Sequence, residues 1–306
     1  MNTDNWTTNN IPSLDGKIII VTGGNSGLGF QSVKAYAAKG AKVIMACRSA
    51  EKGSRAKFSI LRSLPNAAIE LMELDLMSLN SIRNFANNFK AKYKTLDILL
   101  NNAGIMMTPY NLTVDGIESQ QATNHFGHFA LTALLLDVLK NTPKSRVVNV
   151  SSMAHRQGVF NADNLLFEGG LGYTPMKAYG LSKLENLLFT YELQRYFEKN
   201  NIDCMAVVAH PGVSDTNLFS HIGGKFLQTI MKPLFSFMVQ AAEMGALPQL
   251  RASVDAYTKG GDFYGPKGRN EMKGYPVIVQ PKIAAKNEQD AKKLWEISEK
   301  ITGVKF

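Results

Sequence analysis

Cysteine is scarce: Cys47 and Cys204 are the only two among 306 residues. They form no C-x-x-C pair and lie far apart, which excludes a disulfide framework and a cysteine-built zinc site. Both are expected to be small buried strand residues, in keeping with a reducing compartment. Long apolar runs are missing too. No stretch reaches eighteen uninterrupted apolar residues, so no integral membrane segment is expected. The first residues, MNTDNWTTNN, lack the basic-then-apolar pattern of a secretory signal, and the expected location is cytoplasmic. Acidic residues are in short supply, 25 against 34 Lys and Arg, for a formal net charge of +9. A polyanionic partner would use such a surplus. The basic residues are spread along the chain, however, and their densest group, 282–293, is diluted by Glu288 and Asp290. No nucleic-acid recognition motif accompanies them, so no nucleic-acid partner is expected.

What is present is an alternation of two periods. Short runs rich in Ile, Val and Leu fall at 17–22, 42–46, 68–73, 96–100, 146–151 and 203–209. Such runs suit strands buried on both faces. Segments with helical spacing lie between them, at 28–39, 78–92, 120–139 and 177–199. Repeated β–α–β units imply an α/β fold: one doubly wound Rossmann-type domain, with a parallel sheet of about seven strands and helices on both faces. The expected organisation is a flexible tail over 1–14 and a single domain over 15–306. Ligands of such sheets bind at the carboxyl ends of the strands.

The first strand runs into Thr22-Gly23-Gly24-Asn25-Ser26-Gly27-Leu28-Gly29, and a helical pattern follows. Glycines permit a sharp turn and close approach of a ligand to the backbone. A helix N-terminus adds free N–H groups and a positive dipole end for a pyrophosphate. Farther on come Asn101-Asn102-Ala103-Gly104, Ser151-Ser152, Tyr179-x-x-x-Lys183 and Pro211-Gly212, each near the end of an expected strand or the start of a helix. Together these motifs resemble the short-chain dehydrogenase/reductase family over residues 15–265. Ala46-Cys47-Arg48-Ser49 and His125-Phe126-Gly127-His128-Phe129 are similar to its retinol-dehydrogenase-like and protochlorophyllide-reductase-like branch.

A dinucleotide cofactor is therefore expected along Gly23, Asn25, Ser26, Gly27, Leu28 and Gly29. An acidic residue about twenty positions beyond such a loop would bind a ribose 2′-hydroxyl and favour NAD. Here the second strand ends in Cys47 with Arg48 next, and an Arg pairs with a 2′-phosphate through parallel N–H bonds. NADP(H) is thus favoured over NAD(H), with Ser49 as a further donor. The resemblance implies that Asp75 and Leu76 meet the adenine, although Asp75 would equally cap the helix beginning near Ser78. It implies that Asn102, Ala103 and Gly104 line the cleft, and that Pro211, Gly212, Val213 and Thr216 meet the carboxamide end of the nicotinamide. Thr216 would also serve as a helix cap.

Tyr179 and Lys183, spaced i and i+4, share one helix face. Carbonyl reduction needs a proton donor beside the hydride donor. A free Tyr titrates near ~10, and bringing it to neutrality takes on the order of 4 kcal/mol. A nearby ammonium works in that direction. Ser152 is the expected donor to the substrate carbonyl, with Ser151 pointing the other way if the strand persists. Asn124 is implied, by resemblance, to hold a water beside Lys183. The expected catalytic set is thus Asn124, Ser152, Tyr179 and Lys183. His125 and His128, at i and i+3, lack an evident third ligand, and no metal is expected. The segment 213–240 is rich in aromatic and Met residues and is expected to form a lid over an apolar carbonyl or alcohol, with Gly223-Gly224 as hinge. In the family the helices bearing Asn124 and Tyr179 pair into a four-helix contact, so a homodimer or homotetramer is a possible assembly. The alternative to an enzyme is a cofactor-binding sensor of the same fold without catalysis. Retention of Asn124, Ser152, Tyr179 and Lys183 favours the enzyme.

Overall fold

The computed structural model describes residues 5–213 and 240–306. Eight strands form one sheet in the order β3-β2-β1-β4-β5-β6-β7-β8. They are β1 Ile18–Thr22, β2 Lys42–Cys47, β3 Ile69–Glu73, β4 Ile98–Asn101, β5 Ser145–Val150, β6 Cys204–Ala209, β7 Phe263–Pro266 and β8 Pro276–Ile278. The first seven run parallel and β8 pairs antiparallel to β7, from Tyr264↔Ile278 to Pro266↔Pro276. The expected count of about seven thus becomes eight. Phe-Tyr-Gly-Pro in β7 reads as a turn, and β8 is three residues long and starts with Pro, a residue a sheet tolerates at its edge.

Helices cover both faces. On one side lie α1 (Gly27–Ala37), α2 (Ala50–Ser63) and, after the undescribed segment, Ala242–Val254. Their Val33, Tyr36, Ile60 and Leu250 pack against Val21, Met45 and Val148 of the sheet. On the other side lies α3 (Leu79–Lys92), followed by a composite helix, α4. This begins at Ser119–Gln121, passes through a π-helical turn at Ala122–Phe126 and continues as Gly127–Leu134. A short α5 (Leu136–Lys140) follows, then the long α6 (Pro175–Lys199), capped by Thr174 with Pro175 in its first turn. The continuous helix expected over 120–139 is therefore interrupted twice. Gly127 explains part of this: a Cβ there would lie 2.7 Å from the Leu76 carbonyl, so the helix backbone presses directly on the loop after β3.

Two regions depart further from expectation. The N-terminal residues 5–14 are not free. Trp6, Ile11 and Leu14 are buried against the α1 side of the core, and Thr7 forms a capping box with Asn10. Three apolar anchors in an otherwise polar stretch are enough to hold it. At the other end, a helix not foreseen from the sequence spans Glu288–Thr302, with Asn287 as its cap and Gly303 in the left-handed region after it. We call Ala242–Val254 α7 and this last helix α8. Trp295 of α8 stacks on Tyr196 and meets Phe129 and Phe189 edge-on or tilted, and Phe306 closes the cluster. α8 thus lies across α4 and α6, the helices that the expected four-helix contact would use.

No helix of the described residues is long and apolar enough to cross a membrane. Cys47 and Cys204 are free and buried.

Candidate active site

The expected site residues that are described follow the carboxyl ends of β1 to β6 or, for Asn124, Tyr179 and Lys183, sit on the helices α4 and α6. At β1, Gly23 and Gly27 adopt positive φ (65° and 52°), a conformation that glycine supplies without strain. Gly29 has no room for a side chain. A Cβ there would collide with the Gly23 carbonyl and come within 2.6 Å of Asn102 Nδ2. Ser26, exposed at the N-cap of α1, makes no side-chain bond to the helix, whose first-turn N–H groups have no intrahelical acceptor. This is a cradle closed to side chains and open to an anion.

The strand ends are locked to one another by Thr22. Its hydroxyl accepts from the backbone N–H groups of Asn102 and Ala103, both at 2.9 Å, and lies 2.9 Å from His128 Nε2. Asn102 donates to the Thr22 carbonyl at 2.8 Å and accepts from Gln249 at 3.0 Å. His128 Nδ1 meets the Asn124 carbonyl, and burial pushes this imidazole down to about 3, so it is neutral. His125 is buried among Phe126, Phe129 and Phe189, with its Nε2 2.9 Å from Ser298 of α8. Both histidines are therefore structural in their contacts. Among the described residues no group of three His, Cys, Asp or Glu could hold a metal ion.

At the end of β2, Arg48 is exposed and reaches toward Met77, while Ser49 caps α2 through Lys52 N–H. Between α1 and α2 lies an open cavity of about 430 Å³ lined by Asn25, Ser26, Phe30, Lys52, Arg55 and Ala56. Lys52 and Arg55 were not singled out from the sequence. The spacing Arg48, Lys52, Arg55 at i, i+4, i+7, across the start of α2, would have revealed a basic face toward the glycine loop. Asp75 is half-buried, and its carboxylate accepts from Met77 N–H at 3.0 Å. The N-cap of α3 is Ser78, so Asp75 does not cap that helix. Leu76 is buried beside it.

The deepest part of the cleft is built on α6. Tyr179 and Lys183 are buried on one face, with Lys183 Nζ 5.7 Å from the centre of the Tyr179 ring. Nζ donates to the Val150 carbonyl at 3.0 Å. Burial lowers the Lys183 ammonium to about 8 and pushes the Tyr179 phenol up to about 12, against a lowering interaction from the Ser152 hydroxyl. β5 ends at Val150, yet Ser151 and Ser152 still divide: Ser151 is buried and donates to the Lys183 carbonyl at 2.7 Å, while half-buried Ser152, with extended backbone, faces Tyr179. Ser152 also accepts from Ala154 N–H at 3.2 Å, which fixes its rotamer.

Asn124 sits in the π turn, a distortion that recurs at functional sites. Its side chain donates to the Ile105 carbonyl and to Ser182, at 3.0 and 2.9 Å, and accepts from Ile105 N–H at 2.9 Å. Those bonds tie α4 to α6 and to the loop after β4. A Cβ on Gly104 would lie 3.2 Å from Asn124 Oδ1 and 3.4 Å from Lys183 Nζ, so that glycine lets the two side chains approach the loop. After β6, Gly212 takes φ 67° and Val213 N–H donates to the Met272 carbonyl at 2.8 Å. Thr216, Gly223-Gly224 and the rest of the expected lid lie outside the described residues.

The glycine cradle, the helix N-terminus and the basic cavity suit a phosphorylated dinucleotide, and the Tyr179–Lys183–Ser152 grouping suits proton transfer beside it. Residues 17–164 match the model of the short chain dehydrogenase family. Human retinol dehydrogenase 11 is 39% identical over 291 residues, which span 95% of this chain and 87% of the relative. The chloroplastic short-chain dehydrogenase TIC 32 B of Brassica napus is 36% identical, over 94% of this chain and 90% of the relative. A crystal structure of an uncharacterized protein from Mycobacterium paratuberculosis superposes with a TM-score of 0.82, at 40% identity over 99% of both chains. The chain belongs to the short-chain dehydrogenase/reductase family of NAD(P)-dependent oxidoreductases.

Proposed function

We propose that the protein transfers hydride between NADP(H) and the carbonyl or alcohol of an apolar small molecule, with Tyr179 as general acid and base. The observation that carries this reading is the convergence of Tyr179, Lys183 and Ser152 at one buried point beside the glycine cradle. When bound, the cofactor supplies or accepts the hydride. Gly23, Asn25, Ser26, Gly27, Leu28 and Gly29 hold its pyrophosphate, Asp75 and Leu76 its adenine end, and Asn102, Ala103 and Gly104 the floor of the cleft. Pro211, Gly212, Val213 and Thr216 belong to its nicotinamide end.

Ser152 donates to the substrate oxygen and Tyr179 delivers the proton as negative charge develops there. An ordinary phenol raised to about 12 is a reluctant acid. Lys183 offsets this by placing positive charge on the same helix face, where stabilisation of the phenolate lowers the proton-transfer barrier. Asn124 fixes the helix pair through Ser182 and Ile105, so its part is to hold α6, and with it Lys183, in register. Arg48, with Ser49, favours a 2′-phosphate, and Lys52 and Arg55 add charge beside the same cavity. The reading is of a cytoplasmic enzyme, on the strength of the free buried cysteines, which suit a reducing compartment.

The test is a fluorescence titration with NADPH and NADH, followed by turnover with a panel of aliphatic aldehydes, quinones and, given the name of the human relative, retinaldehyde. Tight NADPH binding with NADPH oxidation by an apolar carbonyl is expected. Binding without turnover across the panel would favour a cofactor sensor instead, and no binding would overturn both.

A further inference from the structure

Glu271 makes two bonds that no part of the reaction described so far uses. Its Oε1 accepts from Arg156 Nη2 at 2.7 Å, and its Oε2 accepts from His210 Nε2 at 2.9 Å. The partners follow two neighbouring strands, β5 and β6. Arg156 closes the short turn Met153–Arg156 that begins at Ser152, whereas His210 follows β6, immediately before Pro211-Gly212. The carboxylate therefore spans the loop that carries the carbonyl-facing hydroxyl and the loop expected at the nicotinamide.

The protonation pattern is fixed by the surroundings. His210 is fully buried, and its Nδ1 accepts from Gly212 N–H at 3.2 Å. With Nδ1 an acceptor, the proton of the neutral ring sits on Nε2 and is donated to Glu271. Burial lowers the imidazole, and the bond from His210 holds the Glu271 carboxyl below its ordinary range, so a neutral ring faces a carboxylate. A side chain on Gly265 would collide with this ring, so β7 is shaped to admit it.

The backbone is bent to present the carboxylate. Asn270 and Glu271, neither a glycine, are consecutive left-handed residues with φ of 54° and 58°. Such conformations cost free energy and persist where the surroundings enforce them. The same turn grips the cleft by its main chain. The Met272 carbonyl accepts from Val213 N–H, and Gly274 N–H donates to Gln240, whose side chain donates to the Pro211 carbonyl at 2.7 Å. Gln240 N–H also donates to the Val213 carbonyl, so both flanks of segment 214–239 are tied to this turn. On the Ser152 side, His155 Nδ1 lies 2.7 Å from the Ser152 carbonyl, and Lys282 Nζ donates to the Gly158 carbonyl at 2.6 Å.

We propose that Glu271 is a positioning residue that clamps the Ser152 loop to the Pro211-Gly212 loop, fixing the carbonyl-facing hydroxyl relative to the nicotinamide end of the cleft. Glu271 touches neither substrate nor cofactor in this role. The inference rests on the hydride-transfer reading for its consequence, though the coupling it describes is independent of turnover.

The experiment uses the full chain with Glu271→Ala, Glu271→Gln and, at the half-exposed arm, Arg156→Ala. Amide hydrogen exchange is the first readout. Glu271→Ala should speed exchange at least about tenfold at both 153–158 and 211–213, with little change in β1–β4. Arg156→Ala should speed it at 153–158 only. Exchange unchanged in both variants, or increased over the whole fold, overturns the clamp whether or not a substrate is known. The second readout is steady-state reduction of nonanal by NADPH. Glu271→Ala and Glu271→Gln should lower kcat by about tenfold or more, while the KM for NADPH moves less than about threefold. Gln suffers because its amide presents a donor to one of two donors. A parent that turns over beside a Glu271→Ala variant with the same kcat would sink the catalytic consequence alone. A parent inert toward every carbonyl would instead count against the proposed function, with the exchange result still deciding the clamp.

Discussion

The two halves of the cleft are built on opposite terms. Around the glycine loop, functional groups face solvent: Ser26 and Arg48 are exposed, and Lys52 and Arg55 border an open cavity. Around α6 almost everything is buried and already bonded to the chain. Lys183 holds the Val150 carbonyl, Ser151 the Lys183 carbonyl, and Asn124 both Ile105 and Ser182. On the proposed reading, the first half recognises a ligand through exposed groups at the edge of an open cavity. On the same reading, the second half prepares chemistry by desolvation, with burial disfavouring the charged forms of Lys183 and Tyr179. Substitutions should accordingly separate the halves: those in the open half change affinity and nucleotide choice, and those in the closed half change rate and stability.

The sharpest break is Tyr179→Phe. It removes one hydroxyl from the closed half and nothing from the open one. A general acid contributes about 10²–10⁴-fold, so kcat should fall by at least about a hundredfold, with NADPH affinity within about twofold of the parent. Stopped-assay turnover and the fluorescence titration check both. Comparable turnover would remove Tyr179 from the mechanism.

Gly29→Ala breaks the open half by steric means. The new methyl would meet the Gly23 carbonyl and lie 2.6 Å from Asn102 Nδ2, neither of which can retreat without disturbing Thr22. Overpacking of this kind costs about 1–3 kcal/mol, and nucleotide affinity should fall by about tenfold or more. Calorimetry on the variant would show a lowered melting temperature beside the binding loss. Normal NADPH binding would mean that the loop is not the pyrophosphate cradle.

The closed half also predicts a pH dependence. Lys183 is lowered by burial to about 8 from an ordinary value of 10.5. Between those values the unfolded chain binds the proton that the folded chain has released, so the Lys183 contribution to stability rises with pH across that window. Below pH 8 both states are charged there and the folded one bears the burial cost. Lys183→Met in the cofactor-free protein should therefore raise stability at pH 7 by about 1–3 kcal/mol, since a lost ion without a buried counterion leaves a packed apolar chain. The advantage over the parent should shrink as pH approaches 10. Denaturant midpoints at a series of pH values read this directly. A variant less stable than the parent at pH 7 would mean that the bond to Val150 outweighs desolvation.

The same division explains what the sequence made visible. Six strands were legible because parallel strands buried on both faces need runs such as Ile-Ile-Ile-Val. The glycine loop was legible because close backbone approach admits only glycine. Tyr179 and Lys183 stood out through spacing and through family likeness. What escaped depends on contacts distant in sequence. β7 hides in Phe-Tyr-Gly-Pro, and Trp6 is anchored by a core it meets only after folding. The π turn at Asn124 breaks the 3.6-residue period that would announce a helix. α8 did carry a local sign, an Asn287 cap, apolar residues at 291, 294, 295, 297 and 301, and Gly303 beyond. The surrounding lysines masked it. Glu271 had no local sign at all: its role arises from partners 115 and 61 residues away.

The smallest effect expected is also the one that most sharpens the comparison, because it distinguishes among charges within the open half. Arg48, Lys52 and Arg55 all lie near the cavity, but their freedom differs. Arg55 is engaged with Glu51 at 2.7 Å, an exposed i, i+4 pair, and Lys52 lies in the first turn of α2, with its backbone N–H bonded to Ser49. Arg48 stands before the helix, with only the Met77 sulfur at 3.8 Å among its described polar contacts. An exposed ion pair is worth about 0–1 kcal/mol, so each Arg-to-phosphate contact at this open site should contribute little more than that. Arg48→Glu should therefore weaken NADPH about tenfold and NADH less than twofold, by adding repulsion to the lost contact. Lys52→Ala should weaken NADPH about threefold and Arg55→Ala less, with both effects diminishing in salt, as exposed charges do. Equal losses for both nucleotides would place these residues at the pyrophosphate instead. An unchanged preference in all three variants would mean that the 2′-position is read by a residue outside this face.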